Sequence, residues 1–149
     1  MSASTLSLLL ERAEAERDEA ARLLHAASAQ AGAARAQHGE LAGYRLEYQQ
    51  RWTQSFTQAT TMSIVGCYQD FGRRIDQAVD TQGHVADHAD QREARARDAL
   101  RQTELRVAAL RQLIARREAE ANKAAERREQ RASDEFAARA HLRRQHAHP

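Results

Sequence analysis

His84 and His88 lie four residues apart with Asp87 between them, a spacing that would put two imidazoles on one face of a helix within reach of a metal ion. Two histidines without a third ligand make a weak site, so a solvated helix face accounts for the pair. His141, His146 and His148 crowd the C-terminal stretch, where a loose chain can bind metal only adventitiously. Cys67 is the single cysteine, which rules out an internal disulfide; with no basic neighbour at helical reach it reads as a small residue rather than a redox switch. There is no Gly-x-x-x-x-Gly-Lys-Ser/Thr phosphate loop and no nucleophile elbow with a histidine partner. No catalytic residue, metal or cofactor is therefore expected, and the chain reads as a non-enzyme.

The residues that stand out are suited to binding. Six of the seven aromatics fall in one window, Tyr44, Tyr48, Trp52, Phe56, Tyr68 and Phe71, leaving Phe136 outside. Between Phe56 and Tyr68 the run Thr57 to Ser63 replaces good helix formers with hydroxyl and β-branched residues and reads as a turn. Helical spacing holds on both sides of it. The fold this implies is all-α: one long antiparallel two-helix coiled-coil hairpin, a single domain over 1–149. Its expected parts are a helix over about 4–58, a turn near 59–62, a longer helix over about 63–143 and a frayed tail at 144–149.

Composition supports this. Aromatics are 5% and charged residues 30%, and much of the apolar content is alanine, so stability must come from a long narrow seam. Proline is absent before Pro149, which lets helices run far past globular length. Net charge is only +2 despite a pI near 9.1, too balanced to imply nucleic-acid binding by itself. The start has no basic leader, and no stretch approaches the roughly 20 apolar residues that span a bilayer. A cytosolic protein follows, one that touches a membrane complex without inserting into lipid.

Ser4 or Thr5 is placed to cap the first helix and Ser63 the second. Steps of three and four give a first seam of Leu6, Leu9, Ala13, Glu16, Ala20, Leu23, Ala27, Gln30, Ala34, Gln37, Leu41, Tyr44 and Tyr48. The second reads Tyr68, Phe71, Ile75, Ala78, Gln82, Val85 and Ala89; Leu100, Val107, Leu110 and Ile114 then fall one position late, a slip that predicts interrupted supercoiling. Antiparallel pairing about residue 60 sets residue i beside roughly 120 minus i, bringing Leu6 to Leu113 and Ile114. Each arm would then be roughly 80 Å or longer.

Beyond about Arg117 the second helix should overhang, supported by pairs such as Glu120 with Lys123 and Glu135 with Arg139. From Arg111 to Arg144 ten basic residues are interleaved with six acidic ones, the pattern of a solvated helix rather than a nucleic-acid groove. Gly39 and Gly43, four apart, suggest a close helix approach. A two-helix seam has room for one stripe of large side chains: Tyr44, Tyr48, Phe71 and Ile75 can supply it, whereas Leu46, Trp52, Phe56 and Val79 cannot all share it. Some of these should lie exposed as a partner patch.

The stretch Leu9 to Leu24, the box Leu41-Ala-Gly-Tyr-Arg-Leu-Glu-Tyr48, the pair Tyr68-Gln-Asp-Phe71 and the late Glu129-Gln-Arg-Ala-Ser-Asp-Glu135 resemble the FliJ family of flagellar export proteins, in matching order from about Leu6 to Arg144. The resemblance implies an antiparallel coiled coil similar to the central stalk of rotary ATPases. Its implied partners are the hexameric flagellar export ATPase, the export gate protein FlhA and chaperones of late filament substrates. The family's gate-binding surface maps onto Gln37, Leu41, Tyr44, Tyr48, Phe71, Ile75 and Ala78; Gln82 stands where some members carry histidine. By the same analogy Arg116, Arg117, Arg127, Arg128 and Arg131 at the open end would face the ATPase. Two rival functions fit the composition: a basic coiled coil on nucleic acid, marked by steep salt dependence, and a generic homo-oligomeric scaffold, marked by its sedimentation.

Overall fold

A computed structural model describes residues 2–55 and 61–147. It is an all-α hairpin of two helices, α1 over Ala3–Ser55 and α2 over Met62–Ala147. Most of the expected turn, together with Phe56, lies outside the described residues.

Both helices open one or two residues before the expected caps. At the start of α1 the Thr5 amide donates to Ser2 Oγ at 3.2 Å and the Leu6 amide to the Ser2 carbonyl at 3.1 Å, so Ser2, rather than Ser4 or Thr5, occupies the cap. At α2 the amides of Ile64 and Val65 both reach the Thr61 carbonyl, which makes Thr61 the cap in place of Ser63. Neither first turn holds an acidic residue, so the hydroxyl residues at these starts are not helped by charge. At the other end α2 continues through Arg144 to Ala147, past the point where fraying was expected. Arg144 and His146 in its last turn suit the negative end of the helix dipole, and Gln145 pairs with His141 one turn back at 3.2 Å.

The chain forms two compact units, each made of one stretch of either helix: Met1–Glu14 with Leu105–Pro149, and Ala15–Glu104. In the second, α1 runs antiparallel to α2, since Arg35 meets Asp90, Arg45 meets Asp76 at 3.7 Å and Tyr48 meets Tyr68. In the first, Leu6 and Leu10 share a cavity wall with Ile114, and Glu14 meets Arg111 at 3.6 Å.

The seam differs from the expected one in its alternate members. On α1 the enclosed or half-enclosed residues include Ala20, Leu24, Ala27, Ala31, Ala34, His38, Leu41, Tyr48 and Trp52; on α2 they include Val65, Tyr68, Gly72, Ile75, Val79, Gln82, Ala86, Ala89, Glu93, Ala96, Leu100 and Thr103. Leu6, Leu10 and Ala13, and Val107, Leu110 and Ile114, keep the same alternation of three and four in the first unit. The repeat is thus an unbroken heptad, and the slip expected near Leu100 does not exist. It arose from reading Phe71, Ala78 and Val85 as core in place of Gly72, Val79 and Ala86. The same error on α1 took Leu9, Leu23, Gln30, Gln37 and Tyr44 inward, whereas all five are exposed. Large side chains mislead here because an alanine or glycine seam draws the helices together and leaves bulky neighbours at the rim.

The centre of the second unit is a cluster of four methyl groups, Ala31, Ala34, Ala86 and Ala89. At roughly 0.8 kcal/mol per buried carbon, each alanine adds little, so the assembly depends on many repeats. The glycines divide in the same way. A Cβ on Gly72 would stand 3.5 Å from the Tyr48 ring, and one on Gly83 would stand 3.3 Å from His38 Nε2, whereas Gly39 and Gly43 have nothing within 4 Å. The tight approach expected at Gly39 and Gly43 therefore lies at Gly83, with Gly72 in ordinary contact. Replacing Gly39 and Gly43 by alanine should stabilise the protein by up to about 1 kcal/mol each, read as a raised thermal midpoint, because helix propensity is gained with no clash. Gly83→Ala should gain less, since His38 must shift.

In the first unit α2 outruns α1. Past Ala121 every described residue to Ala147 is exposed except Ala124 and Ala140, which are half-buried. Gln130 donates to Asp134 at 3.1 Å along this stretch; the expected ion pairs Glu120 with Lys123 and Glu135 with Arg139 do not close among the described residues. Among the described residues no helix is long and apolar enough to cross a membrane.

Candidate functional site

An antiparallel heptad has two rims, one on each side of its core rows. In the second unit they are chemically opposite. One carries Arg35, Gln49, Gln69, Asp76 and Asp90, and there Arg35 bonds Asp90 and Arg45 reaches Asp76 across the helix pair. The other carries Leu23, Gln30, Gln37, Tyr44 and Arg51 on α1, and Ile64, Phe71, Ala78, Val85 and Arg92 on α2. This aromatic rim is where the sequence-derived partner residues gather.

Tyr48 organises the end of the unit nearest Ser55 and Met62. From the α1 core row its hydroxyl donates to the Tyr68 carbonyl at 2.6 Å, and its ring centre lies 5.1 Å from Phe71, edge to face, and 5.7 Å from Tyr68. Trp52 meets Tyr68 edge to face at 4.5 Å. The Tyr48 ring lies against α2 at Gly72, where a Cβ would stand in ordinary van der Waals contact with it at 3.5 Å. Partial burial, then the neighbouring Tyr68 and Cys67, push the Tyr48 phenol above its ordinary value of 10.0. The neutral form is therefore favoured in the fold. Its contribution is complete below pH 10 and is lost as pH rises through the folded value, so stability should fall in strong base. Following the unfolding midpoint between pH 9 and 11 in wild type and Tyr48→Phe checks this; the variant should show the shallower decline.

Three hollows surround this cluster. The first, about 410 Å³, is walled by Leu41, Tyr44 and Tyr48 from α1 and by Phe71, Ile75 and Ala78 from α2, with Glu47, Arg51 and Arg74 at its edges. Six of the seven residues mapped as gate-binding thus meet in one groove; the seventh, Gln37, is exposed one heptad along the rim from Tyr44. The second hollow, about 480 Å³, has polar walls supplied by Arg45, Gln49, Gln69, Arg73 and Asp76, with Trp52 and Tyr68 as its aromatic part. The third, about 310 Å³, is lined by Ser63, Ile64, Cys67 and Phe71 among others.

The surplus of large side chains expected from a thin scaffold is present, but its members are exchanged. Tyr44 is 61% exposed and Phe71 52%, although both were assigned to the seam, whereas Val79 is only 7% exposed and Trp52 is half-buried. Leu46 is exposed as expected. Sequence reasoning missed the Tyr48, Trp52 and Tyr68 stack and the contact of Tyr48 with Gly72. Pairing residue i with roughly 120 minus i, applied to Tyr48, would have pointed to Gly72.

The residues mapped toward the ATPase, Arg116, Arg117, Arg127, Arg128 and Arg131, are all exposed on α2 in the first unit. Arg117 borders a cavity of about 560 Å³ with Leu6, Leu10 and Ile114, whereas Arg127, Arg128 and Arg131 lie on the single-helix stretch. His84 and His88 are exposed, and no cluster of three potential metal ligands occurs among the described residues.

Compared with known proteins, residues 1–146 match the family model described as flagellar FliJ protein. No curated protein and no solved structure matches the chain.

Proposed function

We propose, from the premise that this chain belongs to the FliJ family of flagellar proteins, that it works by binding at two places, joining the export ATPase to the export gate. The family sets the broader role, that of a non-catalytic component of flagellar protein export. Within that role the groove of Leu41, Tyr44, Tyr48, Phe71, Ile75 and Ala78 takes the cytoplasmic part of the gate protein FlhA. The arginine-rich stretch from Arg116 to Arg131 engages the export ATPase hexamer and promotes its activity. Export chaperones are escorted by the same protein, which stays at the cytoplasmic side of the membrane-embedded apparatus.

The observation that carries this reading is the convergence of six residues from two helices in one groove, two of whose three rings, Tyr44 and Phe71, are more than half exposed. Exposed aromatics on a narrow scaffold are the usual anchors of a protein interface, since they bury large area at low cost in side-chain entropy. The arginines suit an acidic protein surface, because guanidinium groups form paired hydrogen bonds with carboxylates. Adding the purified protein to its cognate export ATPase should raise hydrolysis several-fold and saturate. Replacing Arg127, Arg128 and Arg131 together by glutamate should abolish the rise. A flat response of the wild-type mixture over a broad concentration range would remove the ATPase half of the reading.

A further inference from the structure

We propose that the aromatic rim of the second unit is a continuous docking track for an amphipathic helix with acidic side chains near both of its ends, extending well beyond the groove assigned to the gate. The proposal rests on that assignment for its first part only. Between Leu23 and Arg51 on α1, and between Ile64 and Arg92 on α2, the two rows of this rim hold apolar or uncharged residues except at their limits, where Arg51 and Arg92 stand. Phe71, Ala78 and Val85 follow one another at seven-residue intervals, so the apolar strip continues one full heptad past the groove. A helix laid along such a strip would meet it at the same spacing.

Charge identifies the occupant. Arg51 and Arg74 border the groove against one carboxylate, Glu47, and Arg92 closes the far end. None of the three arginines makes a hydrogen bond or ion pair among the described residues. On the opposite rim, by contrast, Arg35 is held by Asp90, and Asp76 holds Arg45. Unpaired basic groups at both ends of an apolar strip suit a helix with carboxylates at its two ends and repel one carrying lysines there. By the antiparallel pairing Arg51 lies opposite about residue 69 of α2, so Arg51 and Arg92 stand about 23 residues, or about 35 Å, apart along the track, which sets the separation of the acidic positions.

The test uses the full chain and two synthetic helical peptides of about 24 residues. Both carry leucines at alternating steps of three and four; one has glutamates and the other lysines in its first and last turns. The glutamate peptide should bind at least about tenfold more tightly, with the difference shrinking as salt rises. Val85→Asp and Arg92→Glu should each weaken it about tenfold, and Ala42→Asp on the opposite rim should leave it unchanged. Equal binding of both peptides, no binding of either, or an equal effect of Ala42→Asp would overturn the proposal. So would sedimentation showing a wild-type dimer that Val85→Asp converts to monomer, because the rim would then belong to a second copy. If loss of Tyr44 and Phe71 abolishes gate binding while Val85→Asp affects neither gate nor peptide, the gate assignment stands and the longer track falls.

Discussion

Replacing Tyr44 and Phe71 together by alanine is expected to weaken binding to the cytoplasmic part of the export gate by about 2 to 4 kcal/mol, roughly 30- to 1000-fold in Kd, without loss of helix content. Both rings project from the rim rather than the core, at 61% and 52% exposure, so little packing within the hairpin disappears with them. Phe71 does touch the Tyr48 ring, and its loss should lower the thermal midpoint slightly. Calorimetric titration against the gate domain, beside circular dichroism of the free protein, separates the two effects. Unchanged affinity would remove the gate half of the proposed function. Tyr48→Ala would be a poor substitute for this experiment, because Tyr48 also holds α1 to α2 through the Tyr68 carbonyl and would weaken the fold itself.

The second large effect concerns stability. Ala31→Asp should cost about 3 to 5 kcal/mol, because Ala31 is 0% exposed and is enclosed by Ala34, Ala86 and Ala89, which offer a carboxylate no hydrogen bond. The neighbouring cation Arg35 is already committed to Asp90 on the charged rim. The control is Ala33→Asp, two positions away on the exposed side, which should cost under about 1 kcal/mol through helix propensity alone. Urea unfolding of the two variants measures the contrast. Similar losses would mean that the alanine seam is not where the helices meet. Ala31→Leu should also destabilise, by about 1 to 3 kcal/mol, since the larger side chain would push the helices apart. A protein stabilised by many small contacts concentrates its sensitivity where those contacts are tightest.

How the two helices face each other was only half legible beforehand. Heptad members at Leu6, Ala13, Ala20, Ala27, Ala34, Leu41 and Tyr48 are enclosed or half-enclosed as expected, because they recur at seven whichever neighbour is chosen to complete the pattern. The intervening members were misassigned. Leu9 competes with Leu10, Leu23 with Leu24, and Phe71 with Gly72, and in each pair hydrophobicity favours the wrong residue or does not discriminate. What decides is the partner helix. Tyr48 packs against α2 at Gly72 and bonds the Tyr68 carbonyl, and once those contacts form, the heptad carries Val79 and Ala86 inward and leaves Phe71 and Val85 at the rim.

By itself the sequence determined that the chain is helical, that it folds back near residue 60, that its second helix is the longer, and that it has more large apolar side chains than two helices can cover. These follow from local properties: the absence of proline before Pro149, the alanine-rich heptads, the break in helix formers and the clustering of aromatics. The family resemblance, carried by short boxes in fixed order, was equally local and agrees with the match over residues 1–146. Only the tertiary structure decided which side chains form the surplus, that they share one rim, and that the cross-helix ion pairs of the second unit lie on the other. The physical reason is that burial in a two-helix seam belongs to pairs of residues: a side chain is inside only if the residue opposite is small enough to admit it.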